Sequence, residues 1–336
     1  MSPNQGTENL STQDAATAVP YFEDHDVTLL LGDAREVLAT LAPGSVNCVV
    51  TSPPYFGLRD YGVDGQVGLE ASPGEYVEKL VDILDLAGDA MTNDGVMWLN
   101  LGDTYFSGKG AAVGPDRKQP ARRGFVRPVD VAQEWGRPKN LIGIPWKVAF
   151  ALQDRGWTLR KEIIWHKPNA MPESVTDRVS STHENVFLLS KNRNYWFDLD
   201  AIREPYSAIS LKRYESEFQQ GGATHHAQLK SNMLKDGGKI DANPLGKNPG
   251  DVWSIPTAPF PGAHFATMPP ELARRCILAG CPEGGTVLDP FNGSGTTAMV
   301  ARRLGRKAIG IDLNPAYLDI AVQRIGDTPF DFGGSV

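Results

Sequence analysis

Two stretches of this sequence hold residue types that could do chemistry together. The first is Thr51-Ser52-Pro53-Pro54-Tyr55, which directly follows the apolar run Val46-Asn47-Cys48-Val49-Val50. Consecutive prolines fix the backbone and remove two N–H donors, so the local carbonyls can gather as hydrogen-bond acceptors, and the Ser52 hydroxyl adds to the set. Converging acceptors are what an exocyclic amine requires: they hold the NH2 group and favour the rehybridised nitrogen whose lone pair attacks an electrophilic carbon. Tyr55 supplies a flat surface for stacking. Taken alone, the stretch also reads as a rigid turn whose tyrosine merely packs.

The second stretch is Asp289-Pro290-Phe291-Asn292-Gly293-Ser294-Gly295-Thr296-Thr297. It follows a short apolar run and opens a helical pattern, so backbone N–H groups can approach a ligand closely where Gly293 and Gly295 have no Cβ. The dinucleotide fingerprint Gly-x-Gly-x-x-Gly and the triphosphate loop Gly-Lys-Ser/Thr are both absent. About 20 residues after the glycines, Gly310-Ile311-Asp312 offers a carboxylate that can accept hydrogen bonds from ribose hydroxyls. An adenosyl ligand without a pyrophosphate fits both features. A tight strand-to-helix turn is the plainer reading of the glycines, and Asp312 also reads as a helix N-terminal acid ahead of Asn314-Pro315.

Elements that would position these stretches are legible in the periodicity. Val27–Leu31, Val46–Val50, Gly95–Leu101, Leu159–His166, Asn185–Ser190, Gly285–Leu288 and Ala308–Ile311 read as strands. Helical patterns cover Ala34–Leu41, Glu75–Ala90, a stretch after Ile144-Pro145 running to Asp154, Pro270–Ala279, Thr296–Leu304 and a stretch from Pro315. Strands alternating with helices predict an α/β layered domain. No internal repeat or heptad pattern is evident.

Residues 1–20 read as a disordered leader, with ordered structure expected from near Val27, and 326–336 as a tail. Between Ser107 and Lys147 stand Lys109, Arg117, Lys118, Arg122, Arg123, Arg127, Arg137, Lys139 and Lys147 against only Asp116, Asp130 and Glu134. With Phe125, Trp135 and Trp146 interspersed, this loop could contact phosphates and an extruded strand, in particular through Arg117, Lys118, Arg122, Arg123, Arg127 and Lys139. A solvated charged loop is the competing reading. The overall formal charge of −7 does not by itself suggest a nucleic-acid partner.

The remaining composition excludes more than it assigns. No apolar run approaches the roughly 18 residues that cross a bilayer, and no secretory signal is evident, so no membrane partner and a cytoplasmic location are expected. Cys48, Cys276 and Cys281 lack metal-ligand spacing and read as packing residues. His183-Glu184 and His225-His226 lack paired ligand spacing, so no metal is expected.

At this point the chain resembles the DNA amino-methyltransferases, whose motifs Asp/Asn/Ser-Pro-Pro-Tyr/Phe and Asp-Pro-Phe-x-Gly-Ser-Gly-Thr stand here as Ser52–Tyr55 and Asp289–Thr296. The catalytic motif precedes the cofactor motif, the order of the circularly permuted beta group, and residues 27 to 322 fit that layout. Gly32-Asp33, Trp165-His166-Lys167-Pro168-Asn169 and His183-Glu184-Asn185 are further matches, and His264 to Leu272 is a looser one.

The resemblance implies a Rossmann-like class I methyltransferase sheet with helices on both faces, circularly permuted and carrying an inserted target-recognition region. It implies a catalytic half over 21–190 containing the basic loop 107–147, target recognition over 191–262, and a cofactor half over 263–325. Implied catalytic residues are Ser52, Pro53, Pro54 and Tyr55. Implied cofactor contacts are Asp33, Thr51, His264, Phe265, Asp289, Pro290, Phe291, Gly293, Ser294, Gly295, Thr296 and Asp312. The cofactor would be S-adenosylmethionine, leaving S-adenosylhomocysteine. The partner would be double-stranded DNA, its target base flipped into the pocket. A separate restriction endonuclease and a homodimer are compatible partners.

Serine before Pro-Pro usually accompanies cytosine N4 in this family, and Asp or Asn accompanies adenine N6, so cytosine is the expected base and adenine the alternative. Methyltransferases of protein glutamine or RNA place the cofactor motif first. A non-catalytic DNA-binding protein would be expected to have lost Tyr55, Asp289 or the glycines. A dinucleotide oxidoreductase lacks its fingerprint here.

Overall fold

The computed structural model describes residues 19–58, 63, 65–106, 136–137, 139–210, 243–258 and 267–326. Expectations for residues 1–18, for Arg117, Lys118, Arg122, Arg123 and Arg127, for His225 and His226, and for His264 and Phe265 lie outside the described residues.

The strands are β1 (Pro20–Glu23), β2 (Val27–Leu31), β3 (Val46–Thr51), β4 (Met91–Leu101), β5 (Thr158–His166), β6 (His183–Ser190), β7 (Val252–Ser254), β8 (Thr286–Asp289) and β9 (Lys307–Asp312). The α-helices are α1 (Ala34–Leu38), α2 (Pro73–Ala90), α3 (Ile144–Asp154), α4 (Pro270–Gly280), α5 (Thr296–Arg303) and α6 (Pro315–Gly326). One sheet takes all nine strands in the order β1-β2-β9-β8-β3-β4-β6-β5-β7. Its centre, β2-β9-β8-β3-β4, is parallel. Strand β1 is antiparallel to β2 at one edge, and β6 runs antiparallel to both β4 and β5.

Strands buried on both faces read as continuous apolar runs because helices cover each side. Within β3 and β4, successive residues go to opposite layers. Cys48, Val50, Val96 and Trp98 pack with Leu272 and Ile277 of α4, Val300 of α5 and Leu318 of α6. Val49, Met97 and Leu99 pack with Leu38 of α1, Leu80 and Leu84 of α2 and Val148 of α3. The period of two along each strand thus builds both cores.

Helix boundaries follow local chemistry. Asp33 caps α1 by accepting from the Arg35 N–H at 2.8 Å, and Ser72 caps α2, with Pro73 at its first turn. Helix α1 is one turn shorter than the sequence pattern predicts, ending at Leu38 before the Ala42–Ser45 turn.

Two features depart from the sequence reading. The described residues already form a strand, β1, ahead of Val27. Pro20–Glu23 is an exposed edge strand without apolar alternation, so only its pairing with β2 reveals it. Segment 191–262 also contributes to the sheet and its core: β7 pairs with β5, and Ile202, Trp253 and Ile255 are buried with the α4 layer.

Strands β8 and β3 are parallel neighbours from which the chain departs in opposite directions, β8 toward β9 and β3 toward β4. Such a switch point opens a crevice beyond the carboxyl ends of the two strands, where ligands bind in open α/β sheets.

Helix α4 lies close on the sheet at Gly280, where an added Cβ would meet Val96 Cγ2 at 2.8 Å and Cys48 Sγ at 3.0 Å. Gly280→Ala is therefore expected to destabilise the protein by about 1–3 kcal/mol through overpacking, measured by denaturant unfolding.

Candidate active site

Both chemically suggestive loops leave the sheet at this switch point. Thr51 ends β3, Asp289 ends β8, and the Thr51 hydroxyl donates to Asp289 Oδ1 at 2.7 Å with both residues buried. The Phe291 N–H also donates to Asp289 Oδ1, at 3.1 Å. Farther along the crevice the Gly293 N–H donates to Asp312 Oδ2 at 2.7 Å, and the Asn314 N–H to Oδ1 at 2.8 Å. Asp312 thus serves the glycine loop and the entry to α6 at once.

The glycine loop is fixed from α6. Gly295 adopts φ +77° and packs on Ala321, where a Cβ would meet Ala321 Cβ at 2.6 Å. Arg324 donates to the Ser294 carbonyl at 2.7 Å, the Ser294 hydroxyl at 2.6 Å and the Thr296 hydroxyl at 3.0 Å. The cavity between the loops is lined by Gly32, Asp33, Ser52, Pro54, Phe291, Gly293 and Asp312. Burial pushes the Asp289 carboxyl up to about 6, outweighing the hydrogen bonds from Thr51, Thr297 and Phe291. Burial likewise raises Asp312 to about 6 against its backbone donors.

Ser52 and Tyr55 belong to a second polar group on the β4–β6 side. Asn100 Nδ2 lies 3.2 Å from Ser52 Oγ, 2.9 Å from Tyr55 Oη and 3.0 Å from Glu184 Oε2. The Tyr55 hydroxyl donates to Glu184 Oε2 at 2.6 Å and stands 3.3 Å from Ser52 Oγ. Lys167 forms an ion pair with Glu184 Oε1 and stands 4.4 Å from the centre of the Trp165 ring. Burial, and then the Glu184 charge, push the Tyr55 phenol well above its ordinary range.

The loop's backbone is tied from α2. The Tyr76 hydroxyl donates to the Pro54 carbonyl at 2.9 Å, so that carbonyl turns to the helix rather than joining the acceptors. At Gly102 a Cβ would meet Tyr55 Cε2 at 2.5 Å, so the ring lies directly on the β4 exit.

The DNA methylase family model for N6 and N4 methyltransferases matches residues 46–323. The chain belongs to this family. Type II methyltransferase M.Cfr9I of Citrobacter freundii is 45% identical over 325 residues, covering 97% of this chain and 96% of that one. Type II methyltransferase M.SmaI of Serratia marcescens is 43% identical, covering 88% and 90%. Among solved structures, the cytosine-N4-specific PvuII DNA methyltransferase superposes with a TM-score of 0.62 at 18% identity, covering 94% of this chain and 91% of that one. A DNA modification methylase from Thermus thermophilus complexed with S-adenosyl-L-methionine gives 0.51 at 20% identity, covering 89% and 96%. Both share the mixed sheet with flanking helices.

In this N6/N4 DNA methyltransferase the fold brings together Asp33, Ser52, Pro54, Asp289, Pro290, Phe291, Gly293, Ser294, Thr296 and Asp312 around one cavity. Thr51 and Gly295 support it from behind, through the Asp289 contact and the loop turn. Lys139 lies apart on the surface, paired with Asp177 at 2.5 Å. Asn100, Tyr76 and Arg324 escaped the sequence reading. Asn100 carried a signal, being a polar residue inside the apolar run Val96–Leu101, where a buried amide needs partners. Tyr76 and Arg324 had none, because each reaches its loop from a separate helix, 22 and 30 positions away, whose packing no local pattern fixes. Among the described residues no group of three His, Cys, Asp or Glu side chains could hold a metal, and no helix is long and apolar enough to cross a membrane.

Asp289 and Asp312 bind more protons folded than unfolded between about pH 4 and 6, so each contribution to stability is lost as pH rises through 6. Asp289→Asn keeps an Oδ1 acceptor for Thr51 without the charge. It is expected to reduce the slope in that window and raise stability at pH 7.5 by on the order of 2 kcal/mol, measured as melting temperature against pH without ligand.

Proposed function

We propose that this DNA methyltransferase is the modification enzyme of a Type II system, transferring the methyl group of S-adenosylmethionine to N4 of a flipped cytosine. The observation that carries the reading is the Thr51–Asp289 hydrogen bond. It joins the loop rich in amine acceptors to the glycine loop at one crevice.

The donor set suits an adenosyl cofactor. Asp312 offers carboxylate oxygens to ribose hydroxyls, Asp33 stands at the adenine side, and Gly293 lets backbone approach the ligand. Asn292 Oδ1 is buried without a protein partner in the same loop. Two carboxylates, Asp289 buried and Asp312 partly so, give the cavity the negative potential that a cationic cofactor needs. His264 and Phe265 are proposed as further cofactor contacts. S-adenosylmethionine, when bound, supplies a methyl group on a positively charged sulfur, and the Thermus thermophilus methylase is complexed with the same molecule.

A duplex hides the exocyclic amine within a base pair, so the base is flipped out before reaction. Ser52 and the Pro53 carbonyl accept from the amine, Pro54 holds the loop rigid, and Tyr55 presents its ring to the base. The nitrogen attacks directly, so no covalent enzyme intermediate forms and no cysteine takes part. Cys48 and Cys276 are buried, and burial pushes both thiols up. Serine at position 52 supports cytosine over adenine, as does the cytosine-N4 specificity stated for the PvuII enzyme. The Type II names of the Citrobacter and Serratia relatives support a companion endonuclease on another polypeptide. Segment 191–262 is proposed to read the target sequence, and a homodimer is compatible with the chain.

The deciding assay incubates duplex DNA with methyl-labelled S-adenosylmethionine, digests it, and identifies the modified nucleoside by mass spectrometry. N4-methylcytosine is the expected product. N6-methyladenine would overturn the base assignment, and absence of label the whole reading.

Arg117, Lys118, Arg122, Arg123 and Arg127, with Lys139, are proposed to contact phosphates. Replacing the five arginine and lysine residues 117–127 by glutamine is expected to weaken binding to all duplex sequences alike. The slope of log affinity against log salt should fall by up to about 0.9 for each lost contact, measured by fluorescence anisotropy. An unchanged slope would assign those charges to solvent.

A further inference from the structure

Methyl transfer to an amine leaves one proton to be removed, and the Ser52 hydroxyl is neutral. A carboxylate stands behind it. Ser52 Oγ, Tyr55 Oη and Glu184 Oε2 follow one another at 3.3 and 2.6 Å, bringing residues 129 positions apart into one chain of hydrogen bonds.

The direction of that chain is fixed by chemistry. An ionised carboxylate only accepts, so Tyr55 donates its hydrogen to Glu184 and its own oxygen is left to accept. Ser52 then donates to Tyr55, which turns a lone pair of Ser52 Oγ toward the cavity it lines. Asn100 Nδ2 lies within 3.2 Å of all three oxygens and, with two hydrogens, donates to two of them at a time, so none of the three is called on to donate to it. With the amide reversed, Asn100 Oδ1 would face a carboxylate oxygen at 3.0 Å. Lys167 holds the far oxygen of Glu184, leaving Oε2 for Tyr55. Burial keeps the Tyr55 phenol protonated, as a relay requires.

We infer that Glu184, oriented by Lys167, is a positioning residue that receives the proton released on methylation, by way of Ser52 and Tyr55; this rests on the amine methylation proposed above. The N–CH3 bond forms as the donor C–S bond breaks, its electron pair staying on sulfur, and the nitrogen becomes positively charged. Its N–H proton passes to Ser52 Oγ while the serine proton passes to Tyr55 Oη and the tyrosine proton to Glu184 Oε2. The products are a neutral methylated amine and a protonated Glu184, which returns its proton to solvent. The relay places at Glu184 the negative charge that an aspartate at position 52 would carry directly.

The test is single-turnover methyl transfer from labelled S-adenosylmethionine to pre-bound duplex DNA by full-length protein. Glu184→Gln keeps an acceptor for Tyr55 but cannot take the proton, and Tyr55→Phe keeps the ring but breaks the relay. Each is expected to slow the transfer about 100-fold, with cofactor and DNA dissociation constants within threefold of wild type. The double variant should be no slower than threefold below either single one, because both remove the same relay. Losses under tenfold in either variant, or losses that multiply in the double variant, would overturn the inference. Tyr55→Phe tests the relay from its other end should Glu184→Gln fail to fold. A wild-type protein that transfers no label would instead defeat the methyl-transfer reading, whereas an active wild type with equally active variants would defeat the relay alone.

Discussion

The hydrogen bond from Thr51 to Asp289 joins residues 238 positions apart, and it exists only because β3 and β8 are parallel neighbours at the centre of the sheet. Parallel pairing brings two carboxyl-terminal strand ends to the same edge, and the divergence of the chain on either side opens a crevice there. Everything polar in the site is arranged around that contact. The acceptor loop begins one residue after Thr51, and the glycine loop begins at Asp289 itself.

The contact also sets the electrostatic character of the crevice. Asp289 is buried and Asp312 nearly so, and burial raises both toward pH 6 despite several hydrogen bonds each. Buried carboxylates are costly, and sites that bind positively charged ligands are where that cost is offset. Helix α6 holds the same loop mechanically: Ala321 leaves no room beside Gly295, and Arg324 ties Ser294 and Thr296. Rigidity here means that a ligand meets donors and acceptors already in place, so less ordering entropy is lost on binding.

On the opposite side of Ser52, Asn100 of β4, Glu184 of β6 and Lys167, the residue after β5, form one polar group. A buried network of this kind is favourable only when its members are satisfied, because an unpaired charge in a low-dielectric setting is expensive. Here each oxygen of Glu184 has a donor, and the Lys167 ammonium stands near both a carboxylate and the Trp165 ring, while Asn100 Oδ1 is buried without a hydrogen-bond partner. The antiparallel pairing of β5 with β6 sets Trp165 opposite Glu184, two residues before Lys167, and so brings the ion pair within reach.

Much of this protein was legible from residue order. The apolar runs of β3, β4, β8 and β9 and the helical periodicities placed the α/β layers, because period two and period 3.6 are local consequences of burial. The two loops announced themselves through proline and glycine, whose backbone constraints need no tertiary context. Edge strand β1, the short β7 and the one-turn shortening of α1 were not legible, since their limits are set by partners rather than by their own pattern. Tertiary structure alone decided which groups meet. It turned the Pro54 carbonyl to Tyr76, set Arg324 on the glycine loop, and aligned Ser52, Tyr55 and Glu184. The sequence by itself determined which chemical groups exist and which backbone shapes they favour. Their distances depended on strand order and register, which bring together residues hundreds of positions apart and which no local pattern encodes.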